Sequence, residues 1–260
     1  MGSSFGEFSQ AWSRGLILLI FVLLLNWKFK IFKPLQKQDF PWLIAIGLAG
    51  GLNQAPYYFG FQHLSIGTAT LLFYAALVVG GYILGKVFFQ EKMTFIKIVG
   101  LILAILGMTF IYQFQLTPNQ FLAATLTIIA GLLGSATVIL PRKLIGGYPE
   151  FQIMISYFTV QIFFNGIFSF ILHNSLPPFS NTTSWLGQIG YATAMILANW
   201  AAIEGYRHFE ASLGSLIGLA EIIFGVAFGI ILFHESLTLS IIIGSIIIIS
   251  AAALPHLKRH

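Results

Sequence analysis

The sequence predicts an all-α integral membrane protein of about nine transmembrane helices, and three observations carry that expectation. Charged residues make up 8% of the chain and its mean hydropathy is +0.88, whereas soluble domains carry roughly a quarter charged residues. A water-facing surface cannot be built from that composition. Secondly, residues 40–85, 98–141, 151–203 and 236–257 contain no Asp, Glu, Lys or Arg. A spanning helix takes about 20 mostly apolar residues, so each of the first three stretches has room for two. The third observation is where the basic residues fall.

Turn and breaker residues divide the apolar mass into elements. The run from Gly15 to Leu25 anchors a first helix over 9–31. Its lysines follow the apolar run and no small-residue cleavage site appears, so it reads as a span and not as a secretory leader. Lys33-Pro34 ends it, and 41–62 follows as the second helix up to the break at His63 to Gly67. The third, over 66–88, stops at Gln90 to Met93; the fourth, over 94–113, stops at Gln115 to Asn119. Helices at 119–140, 150–173, 184–206, 211–233 and 238–256 complete the chain, separated by Pro141 to Pro149, Asn174 to Thr183, Arg207 to Glu210, and His234 to Leu237.

Nine spans make the loops alternate between sides. Lys28, Lys30, Lys33 and Lys37, then Lys86, Lys92 and Lys97, then Arg142 and Lys143, then Arg207, then Lys258 and Arg259 all fall on one side. That is twelve of the thirteen Lys and Arg, with Arg14 alone on the other. Basic loops are cytoplasmic, so the C-terminus is expected inside and the N-terminus outside, in a plasma membrane or a bacterial inner membrane. The net charge of +5 is accounted for by these loops, which removes the main argument for nucleic acid as a partner.

Two stretches resemble each other at an offset of 144 residues. Phe89-Gln90-Glu91-Lys92-Met93-Thr94 aligns with Phe233-His234-Glu235-Ser236-Leu237-Thr238, and Gly100 aligns with Gly244. With one residue of slippage, His63-Leu64 aligns with His208-Phe209. The topology puts Glu91 inside and Glu235 outside, so the copies, 1–115 and 116–260, are expected to run in opposite directions. Inverted repeats can rock to open a shared central site to either side. The second copy supplies five helices and the first supplies four, which leads to the expectation of a further helix before Met1.

These paired hairpins, each ending in Glu-x-x-Thr before a Gly-containing apolar helix, resemble the EamA-type members of the drug/metabolite transporter superfamily. The resemblance runs from the Arg14 helix to about Leu254. It implies ten helices in two inverted five-helix repeats and a small metabolite or drug-like solute as the cargo. The alternative is a membrane interaction protein that transports nothing, or a truncated pseudo-transporter.

Enzyme motifs do not fit. Gly80 to Val87 mimics a phosphate loop but lacks the Ser/Thr that would hold magnesium, and it lies within an apolar helix and not after a strand. His234-Glu235 has no second His four residues on, and Gly-x-Ser-x-Gly is absent. With six scattered histidines and no cysteine, neither a metal site nor any cofactor is expected. Polar residues inside the spans carry the functional signal, because each is costly in lipid. Glu221, near the middle of its helix, is a candidate for proton titration or for pairing with a cationic solute. Glu204, one turn beyond Trp200, reads either as a binding group or as an ion-pair partner of Arg207. Asn53 and Tyr57 share one face of the second helix, with Gln54 and Tyr58 on the next. Asn199 and Trp200 in the seventh helix and Tyr74 in the third add amide and aromatic lining that suits an organic solute. Gln161 and Asn165 form a similar pair. Arg14 reads either as a site for an anionic group or as a cation reaching the interface. The expected partners are the lipid bilayer and a small-molecule substrate, with a second copy of the chain as a further candidate.

Overall fold

A computed structural model describes residues 5–112, 116–233 and 237–256. His234, Glu235, Ser236, Lys258 and Arg259 lie outside the described residues, and with them one half of the Glu-x-x-Thr repeat. The described residues form eleven α-helices and no strand: α1 (Glu7–Phe29), α2 (Phe40–Leu52), α3 (Gln54–His63), α4 (Ile66–Phe89), α5 (Phe95–Ile111), α6 (Phe121–Ile139), α7 (Glu150–Ile171), α8 (Thr182–Gly205), α9 (Ala211–Gly218), α10 (Ala220–Phe233) and α11 (Leu239–Ala253). With α2/α3 and α9/α10 each taken as one interrupted segment, these are nine apolar segments at the expected places. Five stretches are individually long and apolar enough to cross a membrane: Glu7–Phe29, Ile66–Phe89, Pro118–Lys143, Glu150–Ile171 and Ala211–Phe228.

The two interruptions depart from the continuous helices expected over 41–62 and 211–233, and both have a local cause. Pro56 stands in the first turn of α3. It has no N–H for the Leu52 carbonyl, and its ring crowds that carbonyl, so the chain bends at Asn53 and restarts. At Leu219 the ladder tightens instead, with i→i−3 bonds from Leu219 N–H to Leu216 O (3.1 Å) and from Ile222 N–H to Leu219 O (3.0 Å). That is one turn of 3₁₀ geometry beside Gly218.

The chain packs as two compact units, residues 1–62 with 136–208 and residues 63–135 with 209–260. Each takes a stretch from either sequence copy, so the packing division and the division at 115/116 describe different things.

In the first unit α7 is the central element, with α1 and α2 packed along it and α8 against α1. The approach of α2 to α7 is close enough to require glycine. A Cβ on Gly51 would lie 2.5 Å from Val160 Cγ1 and 2.7 Å from the Gln161 backbone nitrogen. Polar side chains then fix the ends. Asn174 accepts from the Phe8 N–H (2.8 Å) at the open start of α1. Gln152 clamps the loop after α1, accepting from the Lys33 N–H (2.9 Å) and donating to the Lys33 carbonyl (2.7 Å).

In the second unit α5 packs along α11, and α4 along α9. Gly107 and Gly244 let α5 and α11 touch backbone to backbone: a Cβ on Gly244 would lie 2.6 Å from the Gly107 carbonyl oxygen. Val78, Tyr82, Met108, Leu216, Leu219 and Ile248 form the buried core.

The Glu-x-x-Thr motif does two separate jobs here. Thr94 is the N-cap of α5, accepting from the Lys97 N–H (3.4 Å), and Thr238 caps α11 the same way through the Ile241 N–H (3.3 Å). Glu91 reaches another helix altogether. Gln90 adopts a left-handed conformation (φ 53°) that ends α4, and the Glu91 carboxylate then accepts from Ala211 N–H (2.5 Å), Ser212 N–H (3.1 Å) and Ser212 Oγ (2.7 Å). It caps the start of α9, where the helix dipole favours negative charge. Lys97 completes the cluster, 2.5 Å from Glu210 and 3.9 Å from Glu91.

Two stability predictions follow from these contacts. Gly51→Ala should destabilise the purified protein by about 1–3 kcal/mol, the usual cost of overpacking a tight contact. Gly190→Ala, with open space around its would-be Cβ, should be neutral or better in the same thermal-unfolding measurement. Glu91→Ala removes three accepted hydrogen bonds and leaves Lys97 short of a partner, a loss of about 2–4 kcal/mol. Glu91→Gln, which keeps one acceptor oxygen, should lose clearly less. Equal losses for Ala and Gln would show that the cap contributes nothing through its hydrogen bonds.

Candidate functional site

The break at Asn53 sets the geometry of the polar cluster in the first unit. Restarting the helix there turns Gln54 and Tyr58, one turn apart on α3, toward Arg14 on α1. Gln54 is oriented by its neighbours: its Nε2 donates to Asn53 Oδ1 (2.8 Å), and its Oε1 accepts from Arg14 Nη2 (3.2 Å) and from the Tyr58 hydroxyl (3.3 Å). The Arg14 guanidinium carbon lies over two rings, 4.3 Å from the centroid of Tyr191 on α8 and 4.9 Å from that of Tyr58. Tyr57 stands beside Tyr58, with ring centroids 5.6 Å apart.

Arg14 is fully buried. Its Nε and Nη1 have no hydrogen-bond partner among the described residues. The carboxylates of the unit are engaged elsewhere or make no ion pair with it. Asp39 accepts from the Tyr148 hydroxyl (2.7 Å), and Glu150 and Glu204 both hold Arg207. Glu7 lies two turns earlier on α1, about 10 Å along the axis.

A shell of amides supports this cage. Gln161 on α7 donates to the Ala11 carbonyl (2.6 Å), and Gln188 on α8 donates to the Gln10 carbonyl (2.9 Å) and Ser13 Oγ (3.0 Å). Asn165 donates to the Gly51 carbonyl (2.8 Å) just before the helix break. Irregular backbone is tolerated at membrane depth only where the protein itself supplies such partners. These groups bind backbone, which makes them supports for α1 and α2.

Of the residues singled out from the sequence, the structure brings Arg14, Asn53, Gln54 and Tyr57 together. Glu204 is in the last turn of α8, 2.7 Å from Arg207 Nε and 3.7 Å from His208 Nε2. Asn199 donates to the Met195 carbonyl of its own helix (2.8 Å), and Trp200 is exposed. Tyr74 belongs to the second unit, set edge-on against Phe73. Glu221, also in the second unit, is exposed in the first turn of α10, beyond the Leu219 break, and interacts electrostatically with Tyr112. Tyr191 went unnoticed in the sequence. Its signal is the Gln188/Tyr191 spacing of three, which puts an amide and an aromatic ring on one helix face.

Comparison with known proteins bears on what such a cluster serves. Residues 1–113 match the model of the EamA-like transporter family. An uncharacterised membrane protein of Saccharomyces cerevisiae is 26% identical, over 81% of this chain and 55% of the yeast protein. The chain thus spans about half the length of that curated relative. A solved crystal structure superposes with a TM-score of 0.79 at 13% identity, covering 96% of this chain and 88% of the other; at that identity the likeness shows the fold alone. Residues 1–113, from α1 through the end of α5, are thus similar to the EamA-like transporter family, and the chain that carries them is a multi-pass membrane protein.

Proposed function

We propose that this protein is a transporter that moves a small metabolite or drug-like solute across the membrane by alternating access. The observation that carries the reading is the EamA-like match over residues 1–113. Two features support it. Discontinuous helices flanking a polar cluster are how transporters build solute sites within a bilayer, and α2/α3 is such a helix beside Arg14. The N-caps of α5 and α11 fall 144 residues apart, as two copies of one unit require. In this reading the copies span 1–115 and 116–260 in opposite orientation, the basic loops are cytoplasmic, and Glu221 supplies a titratable carboxylate for proton coupling. Asn199, Trp200, Tyr74 and Glu204 are further solute contacts in the same proposal.

Orientation is tested first. The chain has no cysteine, so single cysteines report sidedness without background. Ser180→Cys should react with an impermeant thiol reagent in intact cells, and Gln38→Cys only after permeabilisation. The reverse pattern would overturn the proposed topology.

Transport is tested in proteoliposomes of the purified chain incubated with a labelled mixture of small metabolites. At least one component should accumulate above protein-free liposomes; none doing so favours the membrane interaction protein instead. Glu221→Gln should accumulate normally in the membrane, lose proton-driven uptake and lose the pH dependence of any uptake that remains. Wild-type uptake by this variant from mildly acidic to mildly alkaline pH would remove Glu221 from the mechanism.

A further inference from the structure

Arg14 poses a problem that its surroundings leave unsolved. A guanidinium carries five N–H donors, and the three on Nε and Nη1 find no acceptor among the described residues although the side chain is fully buried. Stacking on Tyr58 and Tyr191 is worth on the order of 0.5–2 kcal/mol per contact. Leaving a buried charge without a counter-charge costs several kcal/mol. The two rings, the Gln54 oxygen and a hydrogen bond with the Tyr191 side chain hold the group in place without neutralising it.

The contrast with Glu91 sharpens the point. That carboxylate is also buried, its side chain 5% exposed, yet it accepts three hydrogen bonds and faces Lys97. A buried charge serving structure alone is satisfied in this way. Arg14 is buried as deeply, and its Nε and Nη1 have no acceptor among the described residues. A group that would satisfy that edge therefore has a definable chemistry: an anion with oxygen acceptors in one plane, which a guanidinium edge binds through two parallel hydrogen bonds. Tyr191, 44% exposed, gives the cage a wall that reaches the surface of the chain.

We propose that Arg14, framed by Gln54, Tyr58 and Tyr191, binds the carboxylate or phosphate group of a small organic anion. The proposal deepens the transporter reading and rests on it for the anion being cargo; the binding itself stands on the geometry of the first unit.

The test uses the full chain in lipid nanodiscs, with succinate, glycerol 3-phosphate and inorganic phosphate as probes. Glycerol and choline are controls at equal ionic strength. At least one of the three anions should raise the thermal midpoint and bind in calorimetry, with succinate and the phosphates separating carboxylate from phosphate recognition. Arg14→Lys, which keeps the charge but loses the planar fork, should weaken binding about tenfold, or about 1.4 kcal/mol. Gln54→Glu keeps the test decisive even where Arg14 variants fold poorly. It places a carboxylate at the position that already accepts from Arg14, so it should raise the ligand-free midpoint and abolish the anion effect. Absence of protection by all three anions, or undiminished binding in Gln54→Glu, would overturn the proposal. Transport of the same probes in proteoliposomes separates the two readings. An anion that binds through Arg14 but is never translocated removes the transporter and keeps the site. Anion uptake by Arg14→Gln at the wild-type rate removes the site and keeps the transporter.

Discussion

A bilayer offers the backbone no hydrogen bonds, so each peptide group within it must find its partner inside the protein. From this constraint follow the all-helical architecture and the treatment of every place where a helix stops. The break at Asn53 is buried, and Asn165 donates to the Gly51 carbonyl beside it. The break at Leu219 is also buried and keeps its ladder by contracting to i→i−3 bonds. Helix starts are served from a distance in sequence: Asn174 covers the start of α1, and Glu91 covers the start of α9. Each such cap ties two distant segments together, so satisfying the backbone also fixes the packing of the unit.

Without a strong hydrophobic drive between helices in lipid, close contact depends on small residues and on polar groups. Gly51 lets α2 lie against α7, and Gly107 with Gly244 brings α5 and α11 into backbone contact. The side-chain amides of Gln161, Gln188 and Asn165 then spend their donors on backbone carbonyls in the first unit. Shape and hydrogen bonding act here in place of the water-driven burial that organises a soluble core.

Charge divides by the same accounting. Lys97 sits between Glu91 and Glu210 at the start of α9, while Arg207 sits between Glu150 and Glu204 and joins the start of α7 to the end of α8. In both clusters the cation has two carboxylate partners. Among the described residues Arg14 is a buried cation that such accounting does not close, and for that reason it carries the proposed anion site.

The sequence by itself determined the membrane class, the positions of the nine apolar segments and the recurrence of Glu-x-x-Thr ahead of two of them, because these depend on composition, length and spacing. It also named Arg14, Asn53, Gln54 and Tyr57, since a polar residue in an apolar run is conspicuous wherever it points. Other features were decided only by tertiary structure. Pro56 was there to be read, yet a proline near a helix middle is tolerated or not according to what packs beside it. Glu91 was legible as a repeated motif, but its partner lies 120 residues away at Ala211. Tyr191 joined the site through packing geometry that hydropathy does not encode, whereas the pair of Glu204 with Arg207 is one of the two readings that their spacing already offered. Spacing along a helix tells which residues share a face; which face meets which neighbour is set by glycine contacts and long-range caps, and so it emerges only when the helices are assembled.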